Sequence, residues 1–235
     1  MKQVKNIAVI GATGGSGKST VEALLSAGHK VTAVSRSASK VFGETIRCVD
    51  GSALDKEVLR TAIRGQDAVI VTLGITENPV RVRLFGPART PANIRSAGTQ
   101  SVIEVMKELG VKRLLVQTTF GTGPSRKYLR FIDRLFFNLL LKPQIEDTEW
   151  QDQFVRQSGL DWSITQPVHL TDTNQPEDSA YLSTTNEVGD WSISRKLVGE
   201  INAELVLENK ASGNTFVIST RGKEDNKRCN LTSVC

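Results

Sequence analysis

Short β-branched runs alternate with amphipathic segments along most of the chain, a pattern that predicts a parallel α/β sheet. NIAVI, HKVTAVSR, ETIRCVD, DAVIVTLG, KRLLVQTT, DWSITQPV and NTFVIST are the predicted strands. Between them, Ser16 to Gly28 carries Val21, Leu24 and Leu25 on one helical face, and Gly28 closes it. LDKEVLRTAI, Asn93 to Leu109, YLRFIDRLFFNLLLK, IEDTEWQDQFVRQSG and SRKLVGEINAELVLEN are the further predicted helices. Ile75 to Pro91 and Leu170 to Gly189 read as turn-rich loops, and residues from Arg221 to Cys235, which lack an apolar period, as a frayed tail. The expected fold is a doubly wound, three-layer α/β/α sheet of the Rossmann type, one domain over residues 1–220 followed by the tail at 221–235.

The stretch VIGATGGSGKST, Val9 to Thr20, changes the picture from fold to chemistry. Read from Gly11 it is G-x-x-G-x-x-G, a turn for a dinucleotide diphosphate; read from Ala12 it approaches the phosphate loop of ATPases. Both readings set backbone N–H groups and a helix N-terminus under a phosphate. An NTPase also needs a carboxylate at a neighbouring strand end for Mg²⁺, and Asp50 is the only candidate. Its loop would also lack the first glycine, replaced by Ala12. The dinucleotide reading finds its second requirement in VTAVSRS, where Arg36 ends strand two. A cation there suits the 2′-phosphate of NADP, whereas an acid would suit the ribose hydroxyls of NAD. On this reading Asp50 lines the adenine pocket, Leu73 and Gly74 lie beside the ribose, and Lys18 is a solvated helix residue.

The net charge of +5 is scattered rather than gathered, and no motif points to nucleic acid. No segment approaches a membrane span and IAVIGA is too short for a signal-peptide core, so the expected location is cytoplasmic. Cys48 reads as a small core residue, and Cys229 and Cys235 fall in the tail without metal-ligand spacing. The larger dehydrogenase family uses Y-x-x-x-K to protonate an alkoxide. Here Tyr128 is followed four residues on by Ile132 and Tyr181 by Thr185. Alcohol or ketone chemistry by that acid is therefore not expected. A planar conjugated acceptor, which delocalises charge as hydride arrives, fits better.

GATGGSG, GQDAVIVTLG, LLVQTTFG and SGLDWSITQPVHL together resemble the atypical short-chain dehydrogenase/reductases of the NAD(P)H-binding type, over roughly Lys5 to Phe216. Within that group the likeness is to the biliverdin-IXβ reductase (flavin reductase) branch, through GATG, VSR, GQDAVIV and P-x-H. The resemblance implies NADP held along Gly11, Thr13, Gly14, Gly15, Ser16 and Gly17, with Arg36 at the 2′-phosphate. It places the nicotinamide near Thr118 and Pro167 and gives Thr119 and His169 the catalytic task of framing the acceptor: a flavin, tetrapyrrole or quinone-like small molecule. Thr119 stands where that branch usually has Ser. Arg81, Arg83 and Arg89 read as solvated loop charges with a possible role toward an acidic substrate. The apolar FIDRLFFNLLL reads as core, a cover for the cleft or a dimer face, leaving monomer and homodimer both open. The alternative of another class is a non-catalytic NADP(H) sensor of the NmrA type.

Overall fold

A computed structural model describes residues 4–74, 90–129, 142–173 and 179–221. Its main sheet has eight strands in the order β3-β2-β1-β4-β5-β6-β10-β8. These are β1 (Asn6–Ile10), β2 (Lys30–Ser35), β3 (Arg47–Asp50), β4 (Ala68–Val71), β5 (Arg113–Gln117), β6 (Asp161–Pro167), β8 (Ala180–Ser183) and β10 (Asn214–Thr220). All pairings are parallel except β8 against β10. Two further strands, β7 (His169–Thr171) and β9 (Ser192–Ser194), form a small parallel ribbon. The helices are α1 (Gly15–Ser26), α2 (Ala38–Phe42), α3 (Lys56–Ile63), α4 (Ile94–Leu109), α5 (Lys142–Arg156) and α6 (Arg195–Leu205).

The strands read as nearly continuous apolar runs because helices cover both faces of the sheet. Along β1, Ile7 and Val9 enter one core with Val21, Leu24, Val198 and Ile201 of α1 and α6. Ala8 and Ile10 enter the other with Leu59, Val102, Val105, Met106 and Val155 of α3, α4 and α5. Helix α6 lies so close on α1 that a Cβ at Gly199 would come within 2.5 Å of the Ser19 backbone. This is the expected doubly wound architecture. Chain order reverses between β1 and β4, the place where such sheets open a ligand crevice at their carboxyl edge.

Three details depart from the sequence reading. The five-residue helix α2 was not expected, since ASKVF is too short to show a helical period. Strand β8 and ribbon strand β7 fall within or at the edge of the segment read as turn-rich. The polar helix starts at Lys142 and ends at Arg156, with Gly159 at φ +69° beyond it. Most of YLRFIDRLFFNLLLK, Arg81, Arg83, Arg89 and the tail after Arg221 lie outside the described residues. Among those described, no helix is long and apolar enough to cross a membrane.

Candidate active site

At the β1 end the backbone turns at Gly11, whose φ is +89° and whose Cβ, if present, would sit 2.8 Å from the Thr72 carbonyl oxygen. A Cβ at Gly17 would stand 2.2 Å from the Gly11 carbonyl oxygen. These two glycines therefore let α1 close directly onto the turn. Gly14 is the N-cap of α1 and supplies no side-chain acceptor; the first turn of α1 also has no acidic residue. Three other helices are treated differently. Asp55 caps α3 by accepting from Glu57 N and Val58 N, and Ser194 caps α6 by accepting from Leu197 N. In α4, Asp147 of α5 does the same from outside, accepting from Arg95 N at 3.0 Å and Ser96 N at 3.1 Å. The α1 N-terminus alone among these is left to an external anion, which its N–H groups and dipole favour. Thr13 is half-buried beside it, and Ser16 is buried in the first turn.

Lys18 does not turn back toward this cradle. Its side chain is 56% exposed and its Nζ lies 4.0 Å from Glu22 on the next turn. Asp50 ends β3, one strand removed from the neighbours of β1, and is occupied elsewhere. Its Oδ1 accepts from Ser39 N at 2.9 Å and its Oδ2 from the Ser39 hydroxyl, which ties β3 to the first turn of α2. The Ser39 bonds hold this carboxyl below its usual range. Lys18 and Asp50 therefore do not converge on the glycine turn. Asp50 thus braces the segment that carries Arg36. Arg36 stands exposed just past β2, and its Nη2 donates to the Thr90 hydroxyl at 3.2 Å.

On the far side of the crevice, β4 ends at Val71, in register with Val116 of β5. Leu73 is half-buried and turned toward α4, where a Cβ at Gly98 would meet its Cδ1 at 2.7 Å. Thr118 N donates to Thr165 O, and Phe120 N to Pro167 O, so the ends of β5 and β6 are laced together. The Thr118 hydroxyl is buried with no hydrogen-bond partner, a group that a bound ligand would satisfy. Thr119 is half-buried beside it. His169 is exposed at the start of β7 and its N–H donates to the Trp191 carbonyl at 3.3 Å. The Trp191 ring meets Phe120 edge-on with centroids 5.7 Å apart. Thr118, Thr119, Pro167 and His169 are thus gathered at one edge of adjacent strands. Cys48, by contrast, is half-buried against the first core, its thiol pushed up foremost by burial and then by Asp50.

Three residues here escaped the sequence reading. Arg195, first in α6, lies over Gly15: a Cβ there would come within 2.5 Å of its Cδ and 2.6 Å of its Nε. Its Nη1 also pairs with Asp172 at 2.7 Å. Arg95 reaches Gly74, where a Cβ would lie 3.6 Å from its Nη2. Trp191 completes the aromatic wall beside His169. The only sequence signal was for Arg195, an Arg placed one residue after the Ser that caps its helix.

A parallel sheet with reversed strand order and an uncapped glycine turn at the reversal defines a Rossmann-type nucleotide-binding fold. The family model described as NAD(P)H-binding matches residues 11–209, and the chain belongs to that family. An uncharacterized chloroplastic protein of Arabidopsis thaliana is 26% identical over 227 residues, 94% of this chain and 79% of that protein. A 3-diazoavenalumate denitrifying reductase of Streptomyces is 32% identical over 123 residues, 51% of this chain and 40% of that enzyme. Among solved structures, the anaerobilin reductase ChuY of Escherichia coli O157:H7 has a TM-score of 0.72 at 22% identity, covering 93% of this chain and 98% of that one. A short-chain dehydrogenase/reductase of Veillonella parvula in complex with NADP has a TM-score of 0.73 at 15% identity, covering 92% and 95%.

Proposed function

We propose that the chain is an NADPH-dependent reductase that passes hydride to a planar conjugated acceptor such as a flavin or a linear tetrapyrrole. The observation that carries this reading is the pairing of an uncapped glycine turn at the strand reversal with the cation of Arg36 at the end of the adjacent strand. The N–H groups of the first α1 turn would hold the diphosphate, with the Arg195 guanidinium beside them over Gly15. Arg36 would leave the Thr90 hydroxyl for the 2′-phosphate, while Asp50 fixes its loop through Ser39. When bound, the nicotinamide supplies the hydride. Thr118, with its shielded and unmet hydroxyl, would hold the ring's carboxamide, and Pro167 would flank it. Thr119 and His169 would orient the acceptor against the Trp191 wall, and the buried strand ends would exclude water.

The tyrosines support an acceptor that needs no strong acid. The Tyr181 hydroxyl donates to Glu187 at 2.8 Å on the sheet's far edge strand, and Tyr128 is exposed on a surface turn without a lysine one helical turn on. Stopped-flow mixing of NADPH with FMN, a quinone or biliverdin tests the reading by the loss of absorbance of the reduced nicotinamide. Oxidation with at least one acceptor is expected. Tight NADPH binding with no oxidation by any of them would replace the reductase with a sensor.

A further inference from the structure

A groove of about 920 Å³ runs between α1 and α6, a volume in the upper range of ligand sites. Lys5 and His29, which line it, immediately precede β1 and β2, so it opens at the amino edge of the sheet, opposite the crevice. His29 is only 6% exposed. Its Nδ1 accepts from Lys5 N at 3.3 Å, so the ring's proton sits on Nε2. That Nε2–H is shielded from water and has no acceptor among the described residues. A buried donor left so costs stability unless an oxygen is brought to it. In this tautomer Nε2 offers no lone pair to a metal ion.

The groove is also acidic, although the chain carries a net charge of +5. Glu22, Glu200, Glu204 and Glu208 line it with Lys5 and Lys196. Glu22 lies 4.0 Å from Lys18, and Lys5 lies 3.9 Å from Asp67. Arg113 reaches the end of α6, but only to the Leu205 and Val206 carbonyls. Glu200, Glu204 and Glu208 form no ion pair among the described residues, and Lys196 is the one lining cation left to offset them. Lys196, Glu200 and Glu204 follow at four-residue steps along α6, about 6 Å each, and Glu208 stands just past its end. A ligand that satisfies both features carries cations at about that spacing and an oxygen acceptor among them. A protonated polyamine has the cations without the acceptor. An extended peptide has both: its alternate side chains lie roughly 6.6 Å apart on one side, and its carbonyls accept. Ala23, Ala27 and Leu207 of the same lining suit the methylene stems of lysine.

We propose that this groove receives an extended basic segment of a partner protein. Lysine or arginine at alternate positions is set against Glu200, Glu204 and Glu208, and a backbone carbonyl accepts from His29 Nε2. Calorimetric titration of the full chain with the capped peptide Lys-Ala-Lys-Ala-Lys, its glutamate counterpart Glu-Ala-Glu-Ala-Glu and spermidine tests it. The lysine peptide should bind, the glutamate peptide should not, and spermidine should bind about 10-fold or more weakly. The triple variant Glu200→Gln, Glu204→Gln, Glu208→Gln, in which no buried side chain is altered, should weaken the lysine peptide by about 10-fold or more and hold NADP⁺ affinity. Glu44→Gln, exposed outside the groove, should leave peptide affinity unchanged. His29→Asn keeps an oxygen for Lys5 N and removes the Nε2 donor; it should weaken the peptide about 5-fold and spermidine not at all. The proposal is overturned if the lysine peptide does not bind, or if its affinity survives the triple variant. Spermidine binding as tightly as the peptide would overturn it in favour of a small polycation. A wild type that sediments as a dimer, and a triple variant that sediments as a monomer, would overturn it in favour of a second copy of the chain.

Discussion

Arg113 and Arg95 stand at opposite edges of the same sheet, both half-buried and both pushed down in basicity by burial. Arg113 opens β5 at the amino edge and is fully engaged. Its Nε donates to Val206 O at 2.9 Å, its Nη1 to Asp161 O at 3.0 Å, and its Nη2 to Ser163 Oγ at 2.9 Å and Leu205 O at 2.5 Å. It thereby caps the C-terminus of α6 and ties it to β5 and β6. Toward the other end of β5, Asn202 of α6 donates to Gln117 Oε1 and accepts from Thr165 Oγ1, closing a buried network. At the carboxyl edge three polar groups are left open among the described residues: the α1 N-terminus lacks a side-chain cap, and the Thr118 hydroxyl and Arg95 Nε lack a hydrogen-bond partner. Arg113 spends its polar groups on the fold, whereas the α1 N-terminus and the Thr118 hydroxyl at the crevice are left open.

The contrast can be broken or sharpened by substitution. Gly17→Ala should have the largest effect, because its Cβ meets backbone and not a movable side chain. A loss on the order of 3 kcal/mol in urea unfolding is expected, together with nucleotide binding. Arg113→Met should cost roughly 2–3 kcal/mol by leaving the Leu205 and Val206 carbonyls unmet, with nucleotide affinity unchanged once folded. The same substitution at Arg95, whose side chain makes no hydrogen bond among the described residues, should cost less in that measurement, and a comparable loss there would erase the distinction between the two arginines.

Smaller effects lie on the cofactor. Arg195→Ala should weaken NADPH and NADH equally, by about 1 kcal/mol in a calorimetric titration, since it stands by the diphosphate common to both. Asp50→Asn should loosen the Arg36 segment and lower NADPH affinity by less than Arg195→Ala does. Because the folded carboxyl lies below its ordinary range, its bracing of α2 is present above the unfolded value. It is lost as pH falls through the lowered one. In the wild type the NADPH preference should therefore decline only under acid conditions.

The strands and the crevice were legible because β-branched runs buried on both faces and a glycine turn are local signals. The position of Arg36 was legible for the same reason, since it follows from where β2 ends. Arg95 was not. It reads as an ordinary residue just inside a helix, and its setting depends on Asp147, 52 residues away, which caps that helix. Arg195 and Trp191 likewise acquire a role only when β7 and β9 pair and bring them beside Gly15 and His169. The bonds from Ser39 to Asp50 were not legible either, because they depend on the short helix α2.

Titration of NADPH and NADH into the wild type and Arg36→Ala tests the central claim most directly. The wild type should favour NADPH, and the variant should lose roughly 1.5–3 kcal/mol for NADPH while holding NADH unchanged. Equal affinity for the two nucleotides in the wild type, or a preference untouched by the substitution, would contradict the account.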